Sequence, residues 1–136
     1  MIEDVEADKV WEALEADPAA QLCDVRTDAE WNFVGLPNLQ AIDREPVLIP
    51  WQIYPSMQRN PAFIDNLRQA GLAPETPIYF ICRSGARSQA AAQAAAAAGF
   101  TSVYNVAEGF EGPPDADGHR GTVSGWKAAG LPWRQR

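Results

Sequence analysis

Apolar residues recur along this chain in two rhythms, one helical and one extended. Val10, Trp11 and Leu14 share one helical face, and Asp17-Pro18 ends that helix. Gln21-Leu22-Cys23-Asp24-Val25 reads as a short strand. Thr27 or Asp28 can cap a brief helical turn through Trp31 and Phe33. Gly35-Leu36-Pro37-Asn38 reads as a turn, Ala41-Ile42 as a short strand, and Val47-Leu48-Ile49 as an apolar run stopped by Pro50. Asn60-Pro61 pairs a capping residue with a proline at the first helical position. Phe63, Ile64 and Leu67 then form the apolar face, and Gly71 marks the end.

The second half is more regular. Ile78-Tyr79-Phe80-Ile81 reads as a buried strand, and residues 86–98 hold nine alanines before Gly99. Alanine has the highest helix propensity, and its small side chain lets a helix lie close to a sheet. Val103-Tyr104-Asn105-Val106 predicts another strand. Residues 108–121, rich in Gly, Pro and Asp, predict a loop, and residues 123–129 a last short helix stopped at Gly130. Strands alternating with helices imply an α/β layer fold with a mainly parallel sheet. There is no internal repeat and no linker, so residues 1–136 are read as one domain.

Composition narrows the function. With 46% hydrophobic residues, the chain can build a core. Eleven Lys plus Arg oppose 18 Asp plus Glu, for a formal charge of -7, which argues against a nucleic-acid surface. A small anionic substrate stays compatible, because local field outweighs net charge. No apolar run approaches the roughly 20 residues that span a bilayer. The acidic start lacks the features of a signal peptide, so a cytoplasmic location is expected. Two cysteines, Cys23 and Cys82, make no disulfide framework, and with the single His119 they make no zinc site. No metal and no cofactor are expected.

The chemistry concentrates in Cys82-Arg83-Ser84-Gly85-Ala86-Arg87-Ser88. This segment lies between the 78–81 strand and the alanine helix, beyond the carboxyl end of a strand, where α/β sheets place their sites. Backbone N–H groups at such a turn favour negative charge. Helix N-termini and nearby cations lower a cysteine pKa from about 8.5 to roughly 3.5–7.5, and the thiolate is the reactive form. The loop amides and the helix dipole are expected to contribute more than the two arginines.

These residues resemble a single-domain rhodanese. The resemblance is carried by Cys23-Asp24-Val25-Arg26-Thr27 with Glu30-Trp31, by Ile49-Pro50-Trp51, by the 82–88 loop, by Gly109-Phe110 with Glu111-Gly112, and by Gly125-Trp126. It implies a three-layer fold, with a five-stranded, mainly parallel sheet flanked by helices on both faces. It also implies a sulfurtransferase: Cys82 takes a sulfane sulfur from a small anionic donor such as thiosulfate, and the persulfide passes it to a thiophilic acceptor. Residues 83–88 would bind the substrate. Two departures stand out. Gly35-Leu36-Pro37-Asn38-Leu39 replaces the family's Gly-His-Ile-Pro-Gly type of segment, and residues 111–121 form a longer loop that could cover the site and alter donor choice.

Other readings of the same residues stay open. The same thiolate cradle serves cysteine phosphatases and arsenate reductases, although only four residues separate Cys82 from Arg87 and the phosphatase loop is longer. A third reading is a non-catalytic regulatory domain that keeps the fold. Arg83 is either a donor at the site mouth or a solvated side chain. Arg87 either braces the loop against an acidic group or touches substrate. Ser84 and Ser88 either donate hydroxyl bonds to the sulfur or serve only as loop and helix-start residues. Asp24 and Arg26 are expected to hold neighbouring loops, and Cys23 to pack as a small apolar residue or, alternatively, to act as a redox partner. The five tryptophans are read as packing residues, with Trp51 and Trp126 as candidates for an entrance wall.

Overall fold

The computed structural model describes residues 2–135. A five-stranded parallel sheet is built from β1 (Glu3–Val5), β2 (Gln21–Asp24), β4 (Val47–Leu48), β7 (Ile78–Ile81) and β8 (Val103–Val106), in the order β1-β8-β7-β2-β4. Two short antiparallel pairs flank it. β3 (Leu36–Pro37) pairs with β9 (Trp133–Arg134), and β5 (Gln52–Ile53) pairs with β6 (Gln58–Arg59). The helices are α1 (Ala7–Ala16), α2 (Asp28–Phe33), α3 (Phe63–Gln69) and α4 (Ala86–Ala97).

Strand side chains alternate between faces, and here the alternation feeds two separate cores. Ile78, Phe80 and Cys82 join Cys23 and Val103 on one face, packed with Phe63 and Leu67 of α3 and Ala91, Ala92 and Ala95 of α4. Ile81 joins Leu22 and Val106 on the other, with Val10 and Leu14 of α1, Phe110 and Trp126. A parallel sheet covered on both faces is the three-layer arrangement expected from the sequence. The alanines let α4 sit low. Ala91, Ala92 and Ala95 are fully buried, and a larger residue there would overpack the core at a cost of about 1–3 kcal/mol.

Several short elements differ from the sequence expectation. The acidic start, to which the sequence pattern assigns no element, holds the edge strand β1 at Glu3–Val5, whose exposed charges hide it from an apolar-run reading and suit a sheet edge. Residues 40–42 form a 3₁₀ turn, not a strand. The helix after Asn60-Pro61 starts at Phe63. The Asn60 side chain instead accepts from the Ala62 amide and donates to the Pro50 carbonyl and to Asn66. Residues 123–129 make turns and no helix. Gly125 stands at φ +97°, where an added Cβ would meet the carbonyls of Gly109 and Glu108, so the backbone there is held outside a helical conformation. The departing segment after Gly35 is fixed by pairing with β9 near the C-terminus. The carbonyls at the end of α1 (Leu14, Asp17) and just beyond (Pro18, Ala20) receive the Arg44 guanidinium, brought from a distant loop. No helix among the described residues is long and apolar enough to cross a membrane.

Candidate active site

Cys82 follows the last residue of β7, which is flanked by β2 and β8 near the middle of the sheet. The loop from Cys82 turns at Gly85 (φ +114°), and α4 begins at Ala86. The Cys82 Sγ accepts two hydrogen bonds, from the Gly85 amide and from the Ser88 hydroxyl, each 3.1 Å. The expected bowl of amides therefore consists of one main-chain donor and one side-chain donor, set at the positive end of a 12-residue helix. The cysteine itself is 1% exposed.

Ser88 is held from behind. Its Oγ lies against Asn105 Oδ1 and 3.2 Å from the Gly85 carbonyl. Asn105, on β8, donates through Nδ2 to Asp4 Oδ1 at 2.9 Å and to the Gly85 carbonyl at 3.3 Å. From the sequence, Asn105 is only a position in a strand. Its signal was a polar residue between apolar ones in a central strand, and it is 4% exposed.

The two loop arginines diverge. Arg87 makes a two-pronged ion pair with Glu30, Nη1 to Oε1 at 2.6 Å and Nη2 to Oε2 at 2.9 Å. Glu30 also closes a capping box with Thr27 at the start of α2. Burial would raise the Glu30 carboxyl, but the Arg87 hydrogen bonds and charge, the Thr27 amide and the Arg26 charge outweigh it and hold the carboxyl below its usual range. The Glu30 hydrogen bond in turn raises Arg87 against the effect of burial. Arg87 thus braces the loop. Arg83 is exposed and lines a cleft of about 560 Å³ with Glu30, Arg87, Glu111 and the apolar side chains of Phe33, Tyr54 and Met57. Ser84, Gly85 and Ala86 line a smaller cleft with Asp4 and Asn105. Ser84 reaches no sulfur bond and is exposed. Of residues 111–121, only Glu111 reaches the larger cleft, so the long loop does not roof it.

A second layer fixes the loop from below. The amide of Phe110 donates to the Cys82 carbonyl, and those of Glu111 and Gly112 donate to the Arg83 carbonyl. The amides of Trp126 and Lys127 then donate to the carbonyls of Gly109 and Phe110. Gly109, at φ +63°, leaves no room for a side chain: a Cβ there would stand 2.5 Å from the Cys82 oxygen. These contacts account for the glycine pairs noted in the sequence. Trp126 is fully buried, set edge-on to Trp11, and donates to the Pro132 carbonyl, so it walls no entrance. Trp51 packs on Phe63 under Arg59 and likewise does not line the cleft. Trp133 is 43% exposed, with the Lys127 ammonium 3.9 Å from its ring centre.

Asp24 and Arg26 form a fully buried ion pair at 2.7 Å. Arg26 also donates to the Gly35 carbonyl and lies 4.3 Å over the Phe110 ring, which ties the β2 end to both the 35–37 turn and the glycine strap. Its Nη1 has no hydrogen-bond acceptor among the described residues. Cys23 is a buried free thiol whose pKa is raised by burial and by Asp24, which keeps it protonated and apolar. His119 is exposed, and its backbone amide and carbonyl serve only to close a turn with Asp115.

Comparison with known proteins agrees with this architecture. The family model described as the STR4 middle domain matches residues 3–136. The uncharacterized protein RP600 of Rickettsia prowazekii is 35% identical over 135 residues, 98% of each chain. The chloroplastic rhodanese-like domain-containing protein 4 of Arabidopsis thaliana is 29% identical over 128 residues, which are 93% of this chain and 24% of that protein. The crystal structure of Rv0390 from M. tuberculosis matches with a TM-score of 0.90 and 47% identity over 98% of both chains. The polysulfide-sulfur transferase homodimer of Wolinella succinogenes shares the fold, with a TM-score of 0.67 at 22% identity over 99% of this chain and 80% of that one. The chain belongs to the rhodanese-like family, in the group that the STR4 middle domain model describes.

Proposed function

We propose that the protein is a sulfurtransferase that carries sulfane sulfur as a Cys82 persulfide. The observation that carries this reading is the Cys82 Sγ at the end of a central strand, bonded by the Gly85 amide and the Ser88 hydroxyl at the start of α4. Donors and a helix dipole stabilise a sulfur anion there without a general base. In the first half-reaction the thiolate attacks the outer sulfur of thiosulfate. A new S–S bond forms, the S–SO₃ bond breaks, and sulfite leaves with the bonding pair. In the second, a nucleophile such as cyanide or a thiolate takes the terminal sulfur, and the S–S electron pair returns to Cys82. The family's fold neighbours include a polysulfide-sulfur transferase, which supports the same class of chemistry.

The cleft beside Arg83 is the approach for a small anionic donor, and because Cys82 is 1% exposed, reaching the sulfur requires local movement around it. The acceptor is a small thiophile or a protein thiol. Steady-state thiocyanate formation from thiosulfate and cyanide tests the reading. A double-displacement pattern, parallel double-reciprocal lines abolished in Cys82→Ser, is expected. Turnover of an aryl phosphate in place of thiocyanate formation would instead assign the cradle to phosphoryl chemistry.

A further inference from the structure

Ser88 has one hydroxyl proton and three acceptors around it: Cys82 Sγ, the Gly85 carbonyl and Asn105 Oδ1. The orientation of Asn105 is not free. Its Nδ2 already serves two acceptors, the Asp4 carboxylate and the Gly85 carbonyl, and turning the amide over would set its oxygen against both. Asn105 therefore presents an oxygen to Ser88 and competes with the sulfur for the same proton.

We infer that Asn105 is a positioning residue that sets the ionisation of Cys82 through Ser88, an inference that rests on Cys82 being the reacting thiol. With Cys82 protonated, Ser88 donates to Asn105, and the thiol hydrogen can point to the Ser88 oxygen. When Cys82 loses its proton to water, the Ser88 hydroxyl turns to the thiolate, and Asn105 Oδ1 is left without a donor in a site that is 4% exposed. Asn105 thus opposes the thiolate and keeps it incompletely solvated. When the charge moves onto the outer sulfur of a persulfide, the bridging Sγ is neutral, and Ser88 is free to return to Asn105. The pair favours passage from thiolate to loaded cysteine.

Other charges face this cluster. They are Asp4 on β1, Asp24 and Arg26 at the end of β2, Glu30 on α2, Arg83 and Arg87 beside the loop, and Glu108 after β8. The other thiol, Cys23, is buried on β2 in register with Phe80 of β7. Asn105→Leu and Ser88→Ala change none of these charges, so differences among the variants report on the hydroxyl proton.

The test is the pH profile of Cys82 alkylation by iodoacetamide, read on the Cys82 peptide by mass spectrometry in the full-length protein. Ser88→Ala moves the midpoint to higher pH, and Asn105→Leu moves it to lower pH, each by about 0.5–1 pH unit. The double variant matches Ser88→Ala alone, because the competition for the hydroxyl proton is gone once Ser88 is removed. Asp4→Ala, on the exposed edge strand, supplies a second route. It removes one of the two acceptors that fix the amide, which weakens that hold and lowers the midpoint, and that part of its shift disappears in the Ser88→Ala background. An unchanged or raised midpoint in Asn105→Leu, or additive shifts in the double variant, overturns the inference. Alkylation needs no sulfur donor. A failure to form persulfide is therefore read separately from a failure of this relay.

Discussion

Arg87 and Glu30, 57 positions apart, are joined by two hydrogen bonds of 2.6 and 2.9 Å that tie the start of α4 to the start of α2. The arginine that ends the cysteine loop is thereby turned toward a carboxylate and holds the loop's shape. The brace holds the turn between β7 and α4 without either residue bonding the Cys82 sulfur.

Glu30→Gln tests the brace. Glutamine keeps the capping box with Thr27 but removes the charge. We expect a loss of about 1.5–3 kcal/mol at pH 7, measured by urea denaturation. The sign with pH follows from the depressed Glu30 pKa. Its contribution is complete above the unfolded glutamate value of about 4.3 and fades as pH falls through the lower folded value. The gap between wild type and Glu30→Gln therefore closes in acid. A gap that stays constant from pH 7 to about 3 contradicts the pairing.

Gly109→Ala should disturb the cysteine loop from below. Its positive φ costs a side chain about 1–2 kcal/mol, and the Cβ would also meet the Cys82 and Arg83 carbonyls. A destabilisation above about 2 kcal/mol and a matching loss of sulfur loading are expected. Gly118→Ala is the control: φ is +80°, but nothing lies near its Cβ, so only the conformational cost applies. Equal losses for the two variants would show that the close approach at Gly109 does not matter.

Arg26→Met leaves the buried Asp24 carboxylate without its partner. Breaking a fully buried pair from one side costs about 3–5 kcal/mol. The Gly35 carbonyl loses its donor as well. Chemical denaturation of the single variant against Asp24→Asn/Arg26→Met separates the uncompensated charge from lost packing. The double variant is expected to recover part of the loss.

Arg83→Ala addresses the cleft. Arg83 is exposed and braces nothing, so stability should hold within about 0.5 kcal/mol. The KM for thiosulfate should rise severalfold, with a weaker dependence on ionic strength than in wild type. An unchanged KM and salt response would place the donor's approach elsewhere.

What the sequence made legible were elements with local signals. The 78–81 strand, the alanine helix and the cysteine turn between them rest on contiguous residues whose propensities agree. Glu30 was visible only beside Trp31 in the segment that carries the family resemblance; its capping box with Thr27 was not, nor was its pairing with Arg87, because nothing local links positions 57 apart. β1 was hidden by Glu3 and Asp4, which suit an edge strand and spoil an apolar run. Residues 123–129 looked helical by composition, and a tertiary approach at Gly125 overrode that preference. Trp126 beside it, read as a packing residue with an entrance wall as the alternative, is core.

Whether Cys82 carries the sulfur is decided by intact-protein mass spectrometry after thiosulfate treatment. A gain of about 32 Da per chain is expected, localised to the Cys82 peptide, removed by cyanide with release of thiocyanate, and absent from Cys82→Ser. No gain in wild type, or an equal and cyanide-labile gain in Cys82→Ser, would contradict it.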